Sequence, residues 1–135
     1  MAVSTIPPGY PTVPFRITGM DLSGFMTRDA ARSIAFYRDV LGLEPAVVYP
    51  DDRGAEYELP DGTTFGLWGG GGKAPFPFQP SNGILFAVDD FDAAVRAVEA
   101  RGAQVVLRNE TPVCFMAGIK DPDGNLVVLH KRKTG

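Results

Sequence analysis

An internal repeat constrains this chain more than any other feature. "DAARSIAFYRDVLG" runs from Asp29 to Gly42 and "DDFDAAVRAVEARG" from Asp89 to Gly102; the Asp-to-Gly spacing is 13 in each, and the copies are offset by 60. Ala30, Ile34, Tyr37 and Leu41 share one face at helical spacing, as do Phe91, Ala94, Val95 and Val98. A leading Asp caps a helix N-terminus and a trailing Gly stops the C-terminus, so each segment predicts one helix. One apolar strand candidate precedes each helix (16–26 and 83–89). Three follow it: 44–50, 54–60 and 63–69, then 103–110, 113–120 and 125–131. "DDRG", "PDG", "TP" and "DPDG" turn signals divide them. The order β-α-β-β-β, twice, predicts an α+β fold of two tandem βαβββ modules, about 16–69 and 82–132. Helices with one apolar face pack on the outside of sheets. The other sheet faces are then free to form a cup for a small molecule.

The flanks and bulk properties narrow the function. "STIPPGYPTVP" holds four prolines, which block helix and central strand, so residues 1–14 are expected to form a flexible arm before a single domain, 15–135. "GGGGKAPFPFQPSN" is too rich in Gly and Pro for regular structure, which makes 70–81 a linker. A net charge of −3 lacks the basic balance of a general nucleic-acid binder. No apolar run approaches a membrane span of about 20 residues, and no signal-peptide pattern opens the chain. The single cysteine, Cys114, cannot form an intrachain disulfide, which fits a cytoplasmic protein.

"SIAFYRDVLGLEP", "FAVDDFDAAVRAVEARGAQVV" and "DPDGNLVVLH", in that order, resemble the vicinal oxygen chelate superfamily, the glyoxalase, bleomycin-resistance and extradiol-dioxygenase group. The resemblance covers about residues 16–132. It implies paired βαβββ modules, usually in a homodimer, and a divalent metal held by His, Gln or Glu from the first and fourth strand of each module. Carried over one at a time, those ligand positions fall on Leu22, Gly66, Gly83 and Val128. None of these side chains offers a lone pair, whereas divalent ions need oxygen, imidazole or thiolate donors. The site is therefore expected to hold no metal and no other cofactor.

Other residues are candidates for the same cup. His130, the only histidine, shares strand parity with Val128. It is a rim histidine hydrogen-bonded to a neighbour or to water, or a polar contact or proton donor at the pocket mouth and so the catalytic candidate, or a lone metal ligand. Trp68 shares the parity of Gly66, whose lack of a side chain leaves space beside the indole, and Phe76 and Phe78 follow. Aromatic faces at a cavity stack planar or cationic ligands; the alternative is that Trp68 plugs the core. Met20 extends the apolar wall. Glu56 and Glu58 alternate with Tyr57 and are read as a solvated sheet edge. "DPDGN" is read as a tight turn. The expected function is metal-free binding of an apolar or aromatic small molecule, such as a drug or secondary metabolite, by a cytoplasmic homodimer, with no nucleic-acid or membrane partner. The alternative is a lyase, isomerase or dioxygenase that uses His130.

Overall fold

The computed structural model describes Gly9 and residues 12–69, 78–81 and 83–133. The expected arm and linker therefore lie largely outside the described residues. The elements follow the order β-α-β-β-β twice: β1 Ser23–Thr27, α1 Ala30–Asp39, β2 Val47–Tyr49, β3 Gly54–Glu58 and β4 Thr64–Gly69; then β5 Ile84–Ala87, α2 Phe91–Ala100, β6 Val105–Glu110, β7 Cys114–Lys120 and β8 Leu126–Arg132. They form two four-stranded sheets, ordered β1-β4-β3-β2 and β5-β8-β7-β6. In each sheet the first strand runs parallel to the fourth, and the remaining pairs are antiparallel. The α+β fold of two βαβββ modules is present as read from the repeat.

The caps explain where the helices begin. Asp29 accepts from Arg32 N at 3.0 Å, and Asp90 from Ala93 N at 3.1 Å; such a cap contributes about 1 kcal/mol. The second cap is thus Asp90 rather than Asp89, which makes the structural offset 61 at this end. Gly42 and Gly102 close the helices at φ +69° and +94°, a left-handed conformation that costs glycine nothing. Asp52, in the turn before β3, adds a second anion to the start of α1, accepting from Ala30 N and Ala31 N at 3.1 and 3.0 Å. That favours the helix N-terminus electrostatically. The buried positions of α1 are Ala30, Ser33 and Tyr37. Ser33 takes a central place the apolar pattern did not assign it.

Both helix-covered sheet faces join one core. Phe25, Tyr57, Phe65 and Leu67 of the first module pack in a cluster with Ala117, Ile119, Val127 and Leu129 of the second. The Phe65 and Phe86 rings meet edge-on at 5.0 Å. Strand alternation therefore turns the other set of side chains away from the core, onto an open face of each sheet. No ladder joins the two sheets among the described residues.

A buried polar cluster fastens the modules together. The turn 121–125, before β8, reaches the junction of β1 and α1. The Asp123 carboxylate accepts from Thr27 Oγ1 (2.6 Å), Ser33 Oγ (3.0 Å), Arg28 N (3.1 Å) and Arg32 Nη2 (2.9 Å). Asp121 accepts from Tyr37 Oη at 2.9 Å, and Asn125 Nδ2 donates to Met26 O at 2.9 Å. Burial alone would raise the Asp123 pKa. The hydrogen bonds from Thr27, Arg28 N and Ser33, with the charge of Arg32, outweigh it and hold the carboxyl below its usual range. Burial, then the Asp121 charge, pushes the Tyr37 phenol well up.

Candidate functional site

The registers fix what stands on each open face. In the first sheet, Gly24, Gly66, Glu56 and Val47 form one row across β1, β4, β3 and β2, and Met26, Trp68, Gly54 and Tyr49 form the next. In the second, the corresponding rows are Leu85, Val128, Gly118 and Leu107, then Ala87, His130, Met116 and Asn109. Trp68 and His130 are therefore structural counterparts, as are Gly66 and Val128.

The four positions that the resemblance assigns to metal ligands fall into two pairs, one per sheet. A Cβ on Gly66 would lie 3.4 Å from Leu22 Cδ1, and one on Gly83 would lie 3.6 Å from Val128 Cγ2. Each pair is thus correctly juxtaposed, but alkyl groups and hydrogens fill it. These residues do not fit a divalent ion. Among the described residues, no group of three or more His, Cys, Asp and Glu is placed to hold one.

The expected space beside Trp68 is occupied. A Cβ on Gly66 would meet Trp68 Cε3 at 3.5 Å, and one on Gly24 would fall only 2.5 Å from Trp68 Cζ3. The indole therefore lies across Gly24 and Gly66, which are small so that the ring can do so. Phe78 stands away from this face, under the Arg28 guanidinium at 3.9 Å from its ring centroid, beside the Asp123 cluster. Phe76 lies outside the described residues. His130 is half-buried, between Ala87 and Met116 in the ladder.

Two features escaped the sequence reading. Glu56 and Glu58 lie on an interior strand, since β3 runs between β4 and β2, and are not on a sheet edge. Glu56 stands beside Gly66 on the open face and accepts from Tyr49 Oη at 2.7 Å. That bond, followed by partial desolvation, raises the Tyr49 pKa. The tight "PDG" turn between β3 and β4 contained the signal, because a short turn fixes which residues face each other. The second feature is a cleft of about 660 Å³ between β5 on one side and, on the other, the β3–β4 turn with residues 20–23 at the start of β1. Its walls include Leu41, Leu59, Phe65, Ile84, Phe86 and Leu129, and of the expected site residues it takes Met20 and Leu22. Leu22 borders both the cleft and the Gly66 face. No helix among the described residues is long and apolar enough to cross a membrane.

Comparison with known proteins places this geometry. The model of the Glyoxalase/Bleomycin resistance protein/Dioxygenase superfamily matches residues 19–129. No protein of curated function matches the chain. Among solved structures, a lactoylglutathione lyase from Agrobacterium tumefaciens is similar at 22% identity and a TM-score of 0.69, over 86% of this chain and 95% of that one. A glyoxalase/bleomycin resistance protein/dioxygenase from Nocardioides is similar at 19% identity and a TM-score of 0.65, over 90% and 89%. Likenesses at these identities speak for the fold; the family match, over most of the chain, speaks for descent. The chain belongs to the glyoxalase/bleomycin resistance protein/dioxygenase superfamily.

Proposed function

We propose that this protein binds an apolar or aromatic small molecule, such as a drug or secondary metabolite, without a metal ion and without chemistry. The observation that carries this reading is the replacement of the chelating groups: Leu22 packs by Gly66, and Val128 by Gly83. An apolar floor in both sheets binds by burial of surface rather than by coordination. The Met20, Leu22, Trp68 and His130 side chains border that floor, and the cleft beside Leu22 extends it.

The working form in this proposal is a homodimer. Leu85 and Leu107 are 54% and 40% exposed on the second open face, and Met20 is 82% exposed beside the cleft. Apolar surface of this kind gains from cover, and a second copy that closes over it would complete the cup. A reducing cytoplasm suits a chain whose cysteine, Cys114, is a buried free thiol.

The test has two parts. Protein purified without added metal or chelator is assayed for metal and titrated with zinc, nickel, manganese and iron. The neutral aromatic dye N-phenyl-1-naphthylamine is then titrated against Trp68 fluorescence. The expected result is no stoichiometric metal and saturable dye binding with quenching of Trp68. Tight stoichiometric binding of any of the four metals would overturn the metal-free reading and return the protein to the family's enzymes.

A further inference from the structure

We infer that the first module's open face selects organic cations, with Glu56 as the charged contact and Trp68 and Tyr49 as its aromatic flanks. The inference rests on the small-molecule reading above and adds the ligand's charge to it.

Three observations carry it. First, the carboxylate is held in place: Tyr49 Oη donates to Glu56 Oε2 at 2.7 Å, which fixes one oxygen and leaves the other free to accept. Second, aromatic groups flank it. Glu56 is in line with Gly66 across the ladder, and the Trp68 indole lies over Gly66 and Gly24, so the ring leans into the row that Glu56 occupies. Tyr49 and Trp68 both face Gly54, one from each side. An aromatic face attracts a cation through its quadrupole, most strongly when water is partly excluded.

Third, nothing basic in this sheet competes. Its four strands, "SGFMT", "VVY", "GAEYE" and "TFGLWG", contain no Lys or Arg. Glu56 and Glu58 make no ion pair among the described residues. Glu58 bonds only Thr64 Oγ1, at 3.1 Å. The second sheet is the opposite: its strands carry Arg108, Lys120, Lys131 and Arg132 against one acid, Glu110. At the counterparts of Tyr49, Glu56 and Trp68 it has Asn109, Gly118 and His130. A carboxylate bonded by Tyr49, in the same row as the glycines under the Trp68 indole, and with no ion pair among the described residues, complements a quaternary or protonated amine. A neutral ligand of the same shape gains nothing from the charge, and an anion is repelled.

Trp68 is the only tryptophan in the chain, so its fluorescence reports on this face directly. The full-length protein is titrated with choline and with 3,3-dimethylbutan-1-ol, a neutral isostere in which carbon replaces the quaternary nitrogen. The expected result is a Kd for choline about tenfold below that of the alcohol, weakening as salt rises from 0.15 to 1 M. Glu56→Gln, which keeps the hydrogen-bonding shape and removes the charge, is expected to abolish the preference. Tyr49→Phe removes one exposed hydroxyl, which leaves the fold secure, and is expected to reduce the preference severalfold. Equal affinities in the wild type, or a choline preference that survives both substitutions, overturns the inference. If the neutral dye still binds in that case, the small-molecule reading stands alone; if neither choline nor the dye binds, both fail.

Discussion

The two modules carry the same turn and use it differently. Before β4 the chain reads Leu59-Pro-Asp-Gly-Thr63, and before β8 it reads Asp121-Pro-Asp-Gly-Asn125. In the second module Asp121, Asp123 and Asn125 are buried and engage the first module's Thr27, Arg28, Arg32, Ser33 and Tyr37. In the first module, among the described residues, Asp61 bonds only its neighbour Thr63, through N at 3.0 Å and Oγ1 at 2.6 Å. The partners explain the difference. Counted from the two caps, the second module offers Val88, Asp89, Ala93, Ala94 and Val98 at the places of those five residues, and four of them are apolar. One junction is a buried polar lock. Its counterpart, where residues 59–64 approach Ile84–Val88, is the open cleft. Broken pseudo-symmetry thus leaves space at one junction and fastens the other.

The largest effect is expected from breaking the lock. Asp123→Ala removes the anion that accepts from Thr27, Ser33, Arg28 N and Arg32, and losing these hydrogen bonds to a buried charge costs about 3 kcal/mol. Urea unfolding should show a correspondingly lower midpoint at unchanged m-value. The lock is also acid-sensitive. The Asp123 pKa is lower in the folded state, so its stabilisation is complete above the ordinary carboxylate range. It is lost as pH falls through the folded value. Acid unfolding of the wild type should therefore be steeper than that of Asp123→Asn, and parallel curves would mean that the cluster contributes no pH-dependent stability.

Much of this asymmetry was legible only in part. The repeat, the caps and the turn signals follow from local chemistry, and local chemistry gave the α+β fold. The site was harder because it depends on register. Strand parity correctly aligned Trp68 with Gly66 and His130 with Val128, but parity cannot say that an indole folds back over two glycines. The strand candidate 16–26 shows the same limit. Its ladder begins only at Ser23, and Ile17 stays 82% exposed. In the second module Asn125 Oδ1 accepts from Ser81 N at 2.7 Å, and Leu126 N donates to Ser81 O, which ties down the approach to β5. Thr63, at the place of Asn125, makes no such bond with residues 12–22 among those described. A local apolar pattern could not reveal that missing tie.

A smaller effect tests the glycine floor. In the first module Gly24 faces Gly66, whereas Leu85 faces Val128 in the second. A Cβ on Gly24 would come within 1.9 Å of Gly66 O, a backbone atom, and 2.5 Å of Trp68 Cζ3. Gly24→Ala therefore forces strand and indole apart, at about 2 kcal/mol, and should red-shift Trp68 emission as the ring lifts into water. Leu85 is half-exposed on its face, so Leu85→Ala should leave both stability and emission nearly unchanged. Equal responses from the two would mean that the rows are equivalent after all.

The smallest effect is the most telling about the turns. Asp61→Ala removes two hydrogen bonds, yet both are local and lie in solvent. The Thr63 hydroxyl and then its N–H lower the Asp61 pKa, as they would for any Asp that opens a tight turn. Water replaces such bonds at little net change, so the urea midpoint of Asp61→Ala should match that of the wild type within measurement error. A loss as large as that from Asp123→Ala would show that the first turn also docks against its neighbouring module, and the cleft would then be closed in solution. A null result would leave the Pro-Asp-Gly sequence as the means of making the turn. The surrounding residues, Asp121 and Asn125 on one side and Thr27, Ser33 and Tyr37 on the other, would then be what makes it a lock.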